Sequence, residues 1–232
     1  MNQILLLHGA IGTASQLQPL QSMLGNHFKV YTLNFNGHGG NACSNAFSIE
    51  QFATEVADYI LQNKLAPIPV FGYSMGGYVA MYLAVKHPDL VSSICTLATK
   101  FYWNEAVAAK EIKMLDANKI EEKLPVFAKQ LKHLHAPNNW KDLLGKTQEM
   151  LIAMGNNNPL KQADYSTITK PVLLMLGDRD KMISLEETVT VYKALPNAQM
   201  AVLPATPHPL EQMNMEQLAY HIQRFIDNFS SI

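Results

Sequence analysis

The chain is short of the residues that would point to many common functions. It has 2 cysteines among 232 residues, Cys43 and Cys95. That is too few for a disulfide framework, and neither stands at metal-ligand spacing. Both read as inert core or loop thiols. Arginine is confined to Arg179 and Arg224, so the side chain best suited to a two-point grip on a carboxylate is scarce. A polyanionic substrate is disfavoured on that ground, although Lys100 keeps a singly charged one in play. Net charge is −1, and no electrostatic argument recommends nucleic acid or an anionic membrane as a partner. No apolar run reaches the roughly 20 residues that span a bilayer. The apolar opening lacks a basic leading region and breaks at His8-Gly9, which reads as a strand rather than a signal peptide. Cytoplasm is the expected location. No internal repeat or low-complexity tract stands out.

What the chain does carry is Val70-Phe71-Gly72-Tyr73-Ser74-Met75-Gly76-Gly77. An apolar strand runs into Gly-x-Ser-x-Gly, and a helix-forming run from Tyr78 to Val85 follows. A serine on so sharp a strand-to-helix turn is held in a strained backbone geometry that lifts its hydroxyl off the sheet. Side chains at Gly72 and Gly76 would collide where strand and helix meet. Ser74 also falls at the positive end of a helix, where negative charge is favoured. The plainer alternative is a glycine-rich turn whose serine caps the helix.

A serine hydroxyl needs a base, and the base needs a group to orient it. Where the nucleophile sits on such an elbow, the partners follow in the order Ser, Asp or Glu, His. Pro171 to Leu176 is an apolar run of strand length that empties into Gly177-Asp178-Arg179-Asp180. Met200 to Leu203 is another strand, followed by Pro204-Ala205-Thr206-Pro207-His208-Pro209. Each candidate lies just past a strand end, where open α/β sheets place their ligands. The reading is Ser74 as nucleophile, His208 as general base and acid, and Asp180 fixing the imidazole tautomer, with Asp178 left to organise its loop or remain solvated. The two prolines beside His208 hold it stiffly. A fourth part comes from the start of the chain, where the strand Ile4 to Leu7 leads into His8-Gly9-Ala10-Ile11-Gly12. Backbone N–H groups of Ala10 and Met75 are placed to converge on a developing oxyanion. The plainer reading of His8 is a loop histidine that organises this turn.

Strands and helices alternate along the chain, the mark of a parallel sheet. Ser15 to Leu24 is predicted helical and Phe28 to Leu33 a strand. Ser48-Ile49-Glu50-Gln51 reads as a capping box opening a helix to about Asn63, and Leu90 to Ala98 is a strand. A final amphipathic helix covers about Glu211 to Phe229. Between Thr99 and Tyr165 the pattern becomes helix alone: Asn104 to Leu115, Asp116 to Leu134 with Pro125 ending or kinking it, and a helix from Trp140 to Met154 with one apolar face. The expected division is therefore a core of residues 1–99 and 166–232 with an insertion of residues 100–165.

His8-Gly9, Asn34-Phe35-Asn36-Gly37-His38-Gly39, Gly72-Tyr73-Ser74-Met75-Gly76-Gly77, Gly177-Asp178-Arg179-Asp180 and His208 together resemble the α/β-hydrolase-fold serine hydrolases, and they span nearly the whole chain. Within that family the chain is similar to small carboxylesterases and to the hydrolase-like enzymes of biotin and menaquinone biosynthesis. The resemblance implies a mostly parallel sheet of about six strands flanked by helices, serine chemistry with no cofactor and no metal, and a helical cap made by the insertion. Asn34 and Asn36 stand where the family's second loop usually has Asp and Pro, and His38 of that loop is the runner-up base. Ile11, with Phe101, Tyr102 and Trp103 at the start of the cap, are the expected pocket residues. The expected activity is hydrolysis of a small, largely apolar carboxylic ester through an acyl-enzyme. A lyase-type relative using the triad for proton abstraction, as in the menaquinone-pathway synthase, and a noncatalytic small-molecule-binding protein are the alternatives. An acyl-enzyme burst at Ser74 favours the first of the three. The intact Ser, Asp and His argue against the last.

Overall fold

The computed structural model describes residues 2–230. The central strands are apolar on both faces, as strands covered by helices on both sides must be: Ile4, Leu5, Leu6 and Leu7 are all completely buried. In chain order the elements are β1 (Asn2–Leu7), α1 (Gln18–Leu24), β2 (Phe28–Thr32), α2 (Ile49–Gln62), β3 (Ile68–Tyr73), α3 (Met75–Lys86) and β4 (Val91–Leu97). The insertion follows as α4 (Glu105–Glu111), α5 (Ala117–Lys123), α6 (Pro125–His135), α7 (Trp140–Asn156) and α8 (Gln162–Tyr165). The chain then returns through β5 (Val172–Gly177), α9 (Leu185–Ala194), β6 (Ala198–Leu203) and α10 (Met215–Ser230).

The six strands form one sheet in the order β2-β1-β3-β4-β5-β6, and every neighbouring pair runs parallel. The chain moves outward from β1 to β2, then crosses back to place β3 on the other side of β1. That reversal opens a crevice at the C-terminal ends of β1 and β3, the place where open α/β sheets bind ligands. One face of the sheet packs on α1 and α10 through Leu20, Leu24, Leu218, Ile222 and Phe225. The other packs on α2, α3 and α9, and the same cluster continues without a break into Ile120, Leu131, Trp140, Leu144 and Met150 of the insertion. The insertion thus shares its apolar core with the sheet. Helix α3 is buried along most of its length, as a helix apolar all round must be.

Local chemistry accounts for the differences from the sequence expectation. Pro125 starts α6 as its first residue and separates it from α5, a position that tolerates the missing N–H. Ser48 caps α2 by accepting from the Gln51 N–H, but the Gln51 side chain turns to Glu55, so only half of the expected box forms. A 3-10 turn over Ala14–Leu17 precedes α1, and another over Leu210–Gln212 precedes α10. Helix α9 had no counterpart in the sequence reading. It is short, and only Thr188 and Val191 of its residues are buried, too narrow a stripe to give a periodic signal.

Candidate active site

Ser74 joins β3 to α3 at φ +52° and ψ −117°. A residue with a Cβ is held in such a conformation only when its surroundings over-determine it. Here the Ser74 N–H donates to the Leu97 carbonyl at 2.8 Å, and the Thr99 hydroxyl donates to the Ser74 carbonyl at 3.1 Å. The glycines are required by close approach: a Cβ on Gly72 would lie 2.3 Å from the Gly76 backbone, and one on Gly76 would lie 2.5 Å from the Leu7 carbonyl oxygen. The start of α3 is thereby pressed against the end of β1. The Ser74 side chain makes no capping hydrogen bond to its helix, so the helix-cap alternative does not describe it.

The loops after β5 and β6 are clamped together by hydrogen bonds. Arg179 N–H donates to the Thr206 carbonyl at 3.1 Å, and Thr206 N–H donates to Asp178 Oδ1 at 3.1 Å. Asp178 is thus a loop organiser, in addition to its loose contact with the exposed Arg179 guanidinium at 3.6 Å. Asp180 has a side chain only 1 % exposed. Its Oδ2 meets His208 Nδ1 at 2.8 Å, while Oδ1 accepts from the N–H groups of Met182 and Ile183 at 2.8 and 2.9 Å. Burial pushes this carboxyl toward its neutral form, but the His208 hydrogen bond and charge and the two amides outweigh it and hold the pKa below the ordinary carboxylate value. Asp180 is therefore ionised and aimed at one nitrogen of His208. The Tyr73 hydroxyl donates to the His208 carbonyl at 3.0 Å. That contact joins the residue before the serine to the backbone of the histidine, and nothing in the sequence pattern announced it.

Gly9 to Gly12 form a tight turn closed by Gly12 N–H to the Gly9 carbonyl at 3.1 Å. The turn stands against the serine, since a Cβ on Gly9 would lie 3.3 Å from Ser74 Cβ. Its closing bond leaves the Ala10 N–H uncommitted, and Met75, first residue of α3, carries one of the amides that a helix cannot satisfy internally.

Ser74, Met75, Ala10, Ile11, Trp103 and His208 all border one cavity of about 830 Å³. Asp180 sits behind His208, outside the lining. The remaining wall is mostly apolar and comes largely from the insertion, with Phe127, Leu131, Met150 and Met154 among its residues. Among the described residues no arginine lines it, and Lys100, its lysine, stands 3.5 Å from Glu111 and donates to the Met182 carbonyl at 2.7 Å. The lysine is neutralised by its partner and ties the insertion to the loop that carries Asp180. Phe101 and Tyr102 are placed elsewhere. Glu187 Oε1 accepts both of their N–H groups, the Phe101 ring packs edge-on against Tyr165 at 5.8 Å, and both residues border a separate cavity of about 330 Å³.

The two early histidines are structural. His8 is fully buried, meets the Gly9 carbonyl through Nδ1 at 2.8 Å and accepts the Phe35 N–H on Nε2 at 3.3 Å. Burial and the nearby His38 hold its pKa well below the usual imidazole value. His38, the runner-up base, stacks on Phe47 with ring centres 5.1 Å apart and does not border the serine's cavity. Burial lowers its pKa to about 4.

The family profile described as alpha/beta hydrolase fold matches residues 2–134. A 2-(acetamidomethylene)succinate hydrolase of Mesorhizobium japonicum is 22% identical, over 97% of this chain and 87% of its own length. A pimeloyl-[acyl-carrier protein] methyl ester esterase of Neisseria meningitidis is 25% identical, over 98% of this chain and 94% of its own. Among solved structures, MenH from S. aureus superposes with a TM-score of 0.80 at 20% identity, covering 99% of this chain and 94% of that one.

Proposed function

The chain belongs to the α/β-hydrolase fold family, and we propose that within it the protein is a serine hydrolase acting on a largely apolar carboxylic ester. Ser74 attacks the ester carbonyl, His208 takes the hydroxyl proton and returns it to the leaving alcohol, and Asp180 holds the imidazole in the tautomer that can accept. The N–H groups of Ala10 and Met75 receive the oxyanion. Water then cleaves the acyl-enzyme by the same steps in reverse order. The observation that carries this reading is the strained Ser74 bordering the same cavity as a histidine already bonded to a buried, ionised aspartate. Relatives named as a hydrolase and an esterase support the reaction class.

The wall supports the substrate class. Among the described residues that border it, the one lysine stands 3.5 Å from Glu111 and there is no arginine, so no permanently charged cation is left over for a free carboxylate on the substrate. A cavity of about 830 Å³ accommodates more than an acetyl group, and Met150, Met154 and Met182 give the wall an adaptable surface. The test is turnover of p-nitrophenyl esters of increasing acyl length. Each added methylene that enters the cavity is worth about 0.8 kcal/mol, so kcat/KM rises about fourfold per carbon until the cavity is filled. A preference for a dicarboxylate ester over its neutral isostere would refute the substrate assignment.

A further inference from the structure

We infer that His135, the last residue of α6 in the insertion, is a positioning residue for the oxyanion loop; the inference rests on the assignment of the Ala10 N–H to the oxyanion hole. His135 is completely buried and reaches the start of the chain, where its Nε2 meets the Ile11 carbonyl at 3.0 Å. Its other nitrogen, Nδ1, accepts the Gly39 N–H at 3.1 Å. An amide can only donate, so the ring is neutral and carries its proton on Nε2, which donates to Ile11.

The Ile11 carbonyl is a telling place to hold. It shares one rigid peptide plane with the Gly12 N–H, and that N–H closes the turn onto the Gly9 carbonyl. The plane is gripped from both sides, by Gly9 within the turn and by His135 from the insertion. The Ala10 N–H shares its own peptide plane with the Gly9 carbonyl, which accepts the Gly12 N–H, so its direction is set by the turn that this bond closes. Ile11 also needs the support, because it sits at φ +52°, a genuine outlier for a β-branched residue. Left to itself the turn would relax.

The far side of the ring is anchored as firmly. Asn138 donates from Nδ2 to the carbonyls of Gly37 and Asn41 at 3.1 and 2.6 Å. A Cβ on Gly40 would lie 2.7 Å from the Ala136 carbonyl oxygen, so the insertion and the Gly37–Asn41 loop meet backbone to backbone. That loop is in turn tied to the oxyanion segment through Asn34, whose carbonyl accepts from Asn41 Nδ2 at 2.7 Å and whose Oδ1 accepts the Ala14 N–H at 2.7 Å. His135 is the spacer between a docked platform and the turn: its Nδ1 seats the ring on the Gly39 N–H, and its Nε2 donor is the contact that orients the turn. The insertion therefore does more than roof the cavity. It sets the loop that opposes the serine.

Two replacements separate this role from packing. His135→Gln places an amide near Nε2 and keeps the donor to Ile11, whereas His135→Asn keeps the acceptor for Gly39 but falls short of Ile11. Both are assayed in the full chain on a p-nitrophenyl ester, with Ser74→Ala in parallel. The expected result is a kcat about 10- to 100-fold lower for His135→Asn with KM changed less than about threefold, and His135→Gln within about threefold of the parent. A trifluoromethyl ketone, whose adduct places an oxyanion in the hole, should weaken for His135→Asn by the factor lost in kcat/KM. Parental kcat in His135→Asn overturns the proposal. So does equal loss in both variants with their unfolding midpoints falling together, which makes His135 a packing residue. Either result beside an inactive Ser74→Ala leaves the hydrolase reading standing. A fully active Ser74→Ala brings down that reading, and this proposal with it.

Discussion

Replacing Asp180 by Asn tests the acid–base pair with almost no change of shape. Both backbone amides that hold the carboxylate, Met182 and Ile183 N–H, donate to Oδ1, and His208 Nδ1 meets Oδ2. The asparagine must therefore set its carbonyl oxygen toward the two amides. That choice leaves its NH2 facing His208 Nδ1, where a donor opposes the ring N–H. The imidazole answers by moving its proton to Nε2, the nitrogen needed to accept from Ser74. An isosteric amide that enforces the wrong tautomer costs about 10,000-fold in kcat, or about 5.4 kcal/mol of transition-state stabilisation. Asp178→Asn is the control. Asp178 accepts the Thr206 N–H on Oδ1 and has a side chain 37 % exposed, so the amide keeps that bond and the loss should stay below about threefold. The assay is kcat/KM on an activated ester, with circular dichroism to confirm that both variants fold. Asp180→Asn retaining more than about a tenth of parental kcat, or a larger loss at Asp178, would mean that Asp180 does not set the imidazole tautomer.

Other consequences follow from the same geometry. In Gly76→Ala the new Cβ meets the carbonyl oxygens of Leu7 and His8 at 2.5 and 2.6 Å, backbone that cannot yield, so a loss above about 3 kcal/mol in urea unfolding is expected; an unchanged midpoint would contradict the close approach. Acid should destabilise the protein before ordinary carboxylates titrate. Burial holds His38 at about 4 and lowers His8 and His135 too, so below the ordinary imidazole value near 6.5 the unfolded chain binds protons that the folded one refuses. Stability is full above that value and falls with pH, His38 alone contributing a loss of about 2 kcal/mol by pH 5. Asp180, its pKa lowered on folding, adds a loss of the same sign at lower pH. Equal urea midpoints at pH 7 and pH 5 would rule this out. Tyr73→Phe removes the hydroxyl that holds the His208 carbonyl, worth about 1 kcal/mol, and kcat should fall about fivefold; an unchanged rate would show that contact to be idle.

The features legible in the sequence are those whose causes lie within a few residues. Gly72, Ser74 and Gly76 encode the elbow because strand, turn and helix are contiguous, and the apolar runs of β1, β3 and β5 announce central strands because both of their faces are buried. The position of Asp180 and His208 in the loops after β5 and β6 was readable because each lies a few residues past a strand end. What escaped depends on distant contacts. His135 bonds to Ile11 across 124 positions, and on α6 it looks like any histidine in a last helical turn. The direction of Phe101 and Tyr102 is decided by Glu187 on α9, a helix whose narrow buried stripe was itself silent. Lys100 looked available to a substrate until the fold set Glu111 and the Met182 carbonyl beside it.

Covalent capture asks whether Ser74 is an activated nucleophile. The protein is treated with a fluorophosphonate, digested, and the modified peptide identified by mass spectrometry, with Ser74→Ala and His208→Ala alongside. The expected result is a single phosphonyl adduct on Ser74, none in Ser74→Ala, and capture slowed by orders of magnitude in His208→Ala. An unmodified Ser74 in the parent protein, or equal capture rates with and without His208, would contradict it.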